Sequence, residues 1–312
     1  MASKIKVDTL ETANGSGSIT INNPIIAKGI SSTTLGNNNF VAGLTAGDSI
    51  TSGGDNNTLV GTNAGTAITT GDNNTAFGYL ASRVITTGSN NVSVGAGGNL
   101  GANTTGANNT ALGYAALSSN TTASNNVAVG LSSLEANTTG TRNISVGYHA
   151  SKANTTGANN TSVGTSTLFT NTTGAKNTAI GQGALYSNTT AGGNTGVGND
   201  ALFATTSGVN NTAVGLEALS GCVTGEANTT MGAYSSPALT VGIKNSVYGY
   251  NSGAALTTAN QNTFVGYQAG YTRTTGSSNV CIGYQAGHDG VTSDNLLFIA
   301  RSNTGPSNAA TW

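Results

Sequence analysis

The sequence predicts an all-β chain wound into a parallel β-solenoid, or β-roll, of about 14 coils with a 17-residue repeat. Three observations predict it: glycines at a fixed spacing, an asparagine at a fixed offset before each, and period-two alternation between them. The glycines that follow an apolar residue are Gly61, Gly78, Gly95, Gly113, Gly130, Gly147, Gly164, Gly181, Gly198, Gly215, Gly232, Gly249, Gly266 and Gly283. Twelve of the thirteen intervals are 17 residues, and the other, Gly95 to Gly113, is 18. "NFVAG", ending at Gly43, reads as a degenerate earlier copy 18 residues before Gly61.

Four residues before each glycine stands Asn57, Asn74, Asn91, Asn109, Asn126, Asn143, Asn160, Asn177, Asn194, Asn211, Asn228, Asn245, Asn262 or Asn279. Each copy reads G-x-N-N-T-A-V-G-x-x-A-L-x-x-x-T-T. The Asn-Thr-Ala-Val segment alternates, so it predicts a short strand with Thr and Val on one face and Asn and Ala on the other. The x-x-A-L stretch, as at Ala116-Leu117 and Ala184-Leu185, predicts a second, less regular strand. Glycine turns one corner and T-T-G the other. β-branched residues, Asn and Gly weaken a helix. Leucine-rich repeats need more Leu per coil, and a propeller blade needs about 40 residues or more.

Equivalent residues of successive coils stack about 4.8 Å apart, so a repeated residue forms a column. Stacked Asn amides, each both donor and acceptor, hand hydrogen bonds from coil to coil. Stacked Val and Ile are expected to form a narrow dry core. The column of small Ala and Ser leaves space for a close neighbour, expected to be another chain. Each coil offers only two or three apolar residues to offset the cost of ordering its backbone, which also points to association. A cyclic homotrimer, its chains intertwined, suits a rod.

Ten basic and eleven acidic side chains are scattered through 312 residues, with a formal charge of -1. There is no basic face, so nucleic acid is excluded as a partner. No signal-peptide core and no membrane-spanning run are read, so no membrane insertion is expected. Cys222 and Cys281 match neither a disulfide framework nor a metal spacing and are expected to be free thiols, Cys281 buried in the small-residue column. No catalytic elbow, P-loop or zinc pattern is read, and carboxylates stand singly, so no catalytic, cofactor or metal residues are assigned. The Asn-x-Thr triplets, such as the one at Asn56, Asn57 and Thr58, read as repeat grammar rather than glycosylation signals.

The strings "NNTAVG", "NNVAVG", "RNISVG" and "KNTAIG" resemble the head repeats of YadA-type trimeric autotransporter adhesins over roughly residues 55–287. The resemblance implies a left-handed parallel β-roll in an intertwined trimer. Adhesin repeats are usually shorter than this one, and Thr often stands here where they carry Val. The opening "MASKIKVDTLETANGSGSITINNP" resembles virion structural and tail-fibre proteins of bacteriophages, and "DNLLFIARSNTGPSNAATW" is similar to the strand that follows such repeats in phage fibres. These resemblances imply a non-enzymatic phage fibre subunit, made in the host cytoplasm and carried on the virion. The expected partners are its own copies, other virion proteins, and a host-surface glycan or protein. A head-decoration fibre, a polysaccharide-degrading tailspike and a bacterial adhesin head are the alternatives.

Residues 1–40, which hold three of the ten cations and no clean repeat, are expected to dock on the virion. Residues 41–283 form the repeat shaft. Residues 284–312 are expected to cap the last coil and form the tip. Tyrosines gather toward that end, and Tyr267, Tyr271, Tyr284 and His288 are the candidate receptor contacts.

Overall fold

The computed structural model describes residues 36–289 and 292–299. The docking segment expected in residues 1–40 lies almost wholly outside the described residues, as does the stretch ending at Trp312. The described chain is a parallel β-solenoid. Its sixteen strands, from β1 (Phe40–Ala42) to β16 (Leu297–Ile299), are three residues each and pair in chain order within one sheet. Among the described residues there is no helix. Register follows the repeat: Thr195 pairs with Thr212, and Val197 with Val214.

Two coils escape the glycine series, which gave about 14. The "NFVAG" copy is β1, where Phe40 pairs with Thr58 across 18 residues. At the other end β16 pairs with β15 (Val280–Ile282), although Ala300 stands where the glycine is expected. The array therefore continues into residues 284–312.

Every strand but β16, whose Phe298 is half-buried, buries its middle residue: Ala76, Ala111, Ala128, Ser145, Ala179 and Ala213 are fully enclosed. The preceding ladder Asn is buried too, while the residues either side of the middle one face outward. This corrects the expected dry core of Val and Ile. The Ala and Ser column faces inward and the Val and Ile column faces outward. The reason is volume. The opposite wall fills the interior with large side chains, leaving room for only a small one on the strand.

The filling changes along the rod in a compensating way. In most coils where the strand residue is small, the fourth residue after the corner glycine is Leu, as at Leu117, Leu134, Leu185, Leu202 and Leu219; the coils of Ala76, Ser145 and Thr230 carry Ser82, Ser151 and Ser236 there instead. Where it is large, as at Leu59 and Phe264, that position is glycine. A Cβ on Gly65 would stand 2.7 Å from Leu59 Cδ2, and one on Gly270 2.5 Å from Phe264 Cε2. The seventh position is Ile68 or Ile85 early, Asn in the middle, and Leu239 or Leu256 late.

The expected second strand around x-x-A-L is absent; that stretch is a series of turns. The second and fourth residues after the glycine take left-handed φ, 53° at Ser132 and 50° at Leu134. Such angles break an extended strand. They also aim the fourth side chain into the roll, where Leu134 is fully buried. The corner glycine is obligatory for two reasons. Gly147 has φ 140°, and a Cβ there would sit 2.3 Å from the carbonyl oxygen of Gly164 in the next coil.

Candidate functional site

The asparagine ladder is the frame that positions every surface feature. The backbone N–H of Asn74 donates to Asn57 Oδ1 at 2.9 Å, and the step repeats coil by coil. Asn126, Asn143 and Asn160 are joined this way at 2.9 Å. The chain of bonds starts one coil earlier than the sequence pattern, at Asn39, and ends where Leu296 donates to Asn279 Oδ1. Each ladder Nδ2 donates to a turn carbonyl, as Asn57 does to Gly71 at 2.9 Å. The amide therefore bridges side chain to backbone in both directions. Direct amide-to-amide bonds occur at only some steps, such as Asn91 to Asn74 at 3.1 Å.

A second ladder escaped the sequence reading. Asn103, Asn120, Asn137, Asn154, Asn171 and Asn188 stack inside the roll. Here side chains bond directly: Asn171 Nδ2 donates to Asn154 Oδ1 at 2.7 Å, and Asn188 to Asn171 at 2.7 Å. The recurring N-T-T triplet was the available signal. Its threonines continue outward as a third column, Thr155 Oγ1 donating to the carbonyl of Thr172 at 3.0 Å.

Against this constant frame, variation concentrates on the corner that follows the glycine. The first, second and fifth residues after it carry most of the aromatic rings. Tyr250, Tyr267 and Tyr284 stack with centroids 5.6 and 5.3 Å apart and planes within 11° and 7°. Tyr271 stacks on His288 at 5.0 Å. His288 Nδ1 lies 2.5 Å from Asp289 Oδ1, and the His288 carbonyl accepts a bond from Thr272 Oγ1. Between the two stacks Gln285 Nε2 donates to Gln268 Oε1 at 2.8 Å. The structure thus brings Tyr267 and Tyr284 into one column and Tyr271 and His288 into another. The rings stack along the rod axis, so neighbours cover each other's faces and present edges to solvent. A further column, Phe169, Tyr186 and Phe203, stacks at 5.1 and 5.0 Å in the middle of the rod.

Three shallow hollows lie along the same corner. One, of about 520 Å³, is bordered by Asn63, Thr66, Leu80 and Arg83. A second, of about 270 Å³, holds Asp200 and Glu217 at the same position of neighbouring coils, beside Phe203. The third, of about 230 Å³, runs along Ala254, Ala255 and Tyr271.

Cys222 and Cys281 are free and buried, and burial pushes both thiols up to about 11. They stay protonated and unreactive at neutral pH. His149 is held below the usual imidazole range, first by partial burial and then by Lys152. Arg273, buried in the last coils where Leu239 and Leu256 precede it, was not singled out by the sequence. Its Nε donates to the Gly287 carbonyl, and its guanidinium lies 4.8 Å from the Phe298 ring centre. Among the described residues no group of three or more His, Cys, Asp or Glu is placed to hold a metal. No helix among them is long and apolar enough to cross a membrane. Comparison of this chain with protein-family models, curated proteins and solved structures gave no match.

Proposed function

We propose that this chain is a non-enzymatic fibre subunit: an elongated homotrimer, anchored to a virion at one end and adhering to the host surface. The observation that carries the reading is the outward strand face. None of the sixteen strands contains a charged residue. Their outward positions include Phe77, Leu112, Ile144, Ile180, Met231 and Ile282, each at least 40% exposed. Sixteen strands make a strip roughly 70 Å long and about 10 Å wide, on the order of 700 Å², apolar along the column of third residues and mostly Thr along the column of first residues. Monomers rarely expose contiguous apolar patches above a few hundred Å², whereas a standard interface takes about 800 Å² from each partner.

The partner must match a constant rise over the whole length of the rod. A second copy of the same chain does so by construction, and three copies around one axis enclose the strip of each. The interface proposed is thus the Val and Ile face rather than the Ala and Ser column. Adhesion is drawn from the corner surface, which stays outside such an interface and carries the variable aromatic, amide and charged groups. The virion location rests on the resemblance of the N-terminal sequence to phage structural proteins.

Light scattering of the full chain tests the assembly. The expected mass is that of three chains, and Ile180→Lys with Met231→Lys is expected to reduce it to one. A wild-type mass of a single chain at micromolar concentration would remove the fibre reading.

A further inference from the structure

The hollow of about 520 Å³ lies near the N-terminal end of the described rod, far from the tyrosines singled out by sequence. We propose that it binds an anionic sugar unit, a carboxylate or a sulfate ester on a pyranose ring, through Arg83. The proposal rests on the adhesion reading above and names a ligand class for it.

The hollow is lined by Ser49, Asn63, Thr66, Leu80, Arg83 and Val84, together with Ala67. No carboxylate lines it. Among the described residues Arg83 is exposed and has no ion pair, as is also true of Arg142, Lys176 and Lys244, whereas Lys152 lies 3.7 Å from Glu135 and Arg273 is buried. Asn63 accepts a hydrogen bond from Thr45 Oγ1 through Oδ1, which leaves its Nδ2 to donate outward. Thr66 Oγ1 is shielded from solvent and, among the described residues, has no partner. The Arg83 guanidinium, the Asn63 amide N–H₂ and the Ser49 hydroxyl thus line one hollow with the apolar side chains of Leu80, Ala67 and Val84. Guanidinium groups pair with carboxylates and sulfate-like oxyanions through two parallel N–H bonds. The hydroxyl and amide donors suit ring hydroxyls, and the apolar wall suits the C–H face of a sugar. The frame is fixed because the second residue of each corner, Asn63 and Leu80 here, bonds through its N–H to the preceding coil, Asn63 at 2.9 Å and Leu80 at 3.1 Å.

Titration calorimetry of the full chain with glucuronate, galactose 6-sulfate and glucose tests the proposal. At least one anionic sugar is expected to bind saturably while glucose does not, and the stronger of the two identifies the anion. Arg83→Gln is expected to weaken binding by at least about tenfold, the loss of one charged hydrogen-bonding partner, with unchanged thermal melting. Equal binding of glucose, no binding of either anionic sugar, or wild-type affinity in Arg83→Gln would overturn the proposal. If the trimer persists in that case, only the hollow is lost as a binding site; a monomeric wild type would remove the reading beneath it.

Discussion

Asn143 shows why one residue type recurs at every level of the rod. Its N–H donates to Asn126 Oδ1 at 2.9 Å, its Oδ1 accepts from the N–H of Asn160 at 2.9 Å, and its Nδ2 donates to the Gly157 carbonyl at 2.9 Å. All of these groups are buried. Only a short side chain with both a donor and an acceptor can serve them. Asp keeps the acceptor, loses the donor and brings a charge out of water; Ala loses both. Asn143→Ala leaves the Asn160 N–H unpaired and removes one of the two bonds to the Gly157 carbonyl, which Asn154 still serves, so a loss on the order of 1–3 kcal/mol is expected in chemical denaturation. Asn159, next to the ladder in sequence, is exposed with φ 58°, and its N–H donates to the Thr141 carbonyl of the preceding coil. Asn159→Ala is expected to cost no more than about 1 kcal/mol, from the left-handed backbone preference of Asn alone. Equal effects for the two substitutions would show that the ladder does not hold the coils together.

At the scale of the coil, stability depends on matched volumes across the interior, and this decides what the sequence could reveal. The Asn ladder was legible because the chemistry admits no substitute. Alternation divides a strand into two faces but does not say which is inside. The apolarity of Val146 and Ile180 pointed inward, yet Leu134 and Leu168 from the other wall already occupy the interior. Those leucines sit at φ 50° and 46°, angles that nothing about Leu predicts, so turns were read as a strand. The second ladder was hidden because its column runs from Ile68 through Asn137 to Leu256. The tyrosines were legible only as a cluster toward the C-terminal end; their division into two stacks depends on the path of the corner. Matched volumes make a specific prediction. Gly65→Leu alone is expected to cost a few kcal/mol, since its first carbon would meet Leu59 at 2.7 Å. Leu59→Ala alone is expected to cost about 2–5 kcal/mol. The double variant recreates the Ala-and-Leu pairing of Ala128 and Leu134, so most of the combined loss is expected to be recovered. Additive losses in a double-mutant cycle would refute complementary filling.

The whole rod is one-dimensional: each coil bonds only to its neighbours, so register must be transmitted step by step. Two coils show where that transmission tolerates change. Between Gly95 and Gly113 the extra residue lies in the corner, where Gly97 and Gly98 take φ 80° and 77°. The ladder passes it undisturbed, the N–H of Asn109 reaching Asn91 Oδ1 at 3.0 Å. The step from Phe40 to Thr58 likewise absorbs its extra residue outside the strand. A residue added inside a strand has no such outlet. It moves every following side chain to the opposite face, sending Asn outward and Val or Thr inward. One glycine inserted after Leu131, in a corner, is therefore expected to leave a single cooperative melt lowered by a few degrees. The same glycine inserted between Asn126 and Val127 is expected to break the rod at that level, giving two melting units on either side. Circular dichroism melts with limited proteolysis at the insertion separate these outcomes. Indistinguishable melts for the two insertions would mean that the coils hold register by something other than the strand and its Asn.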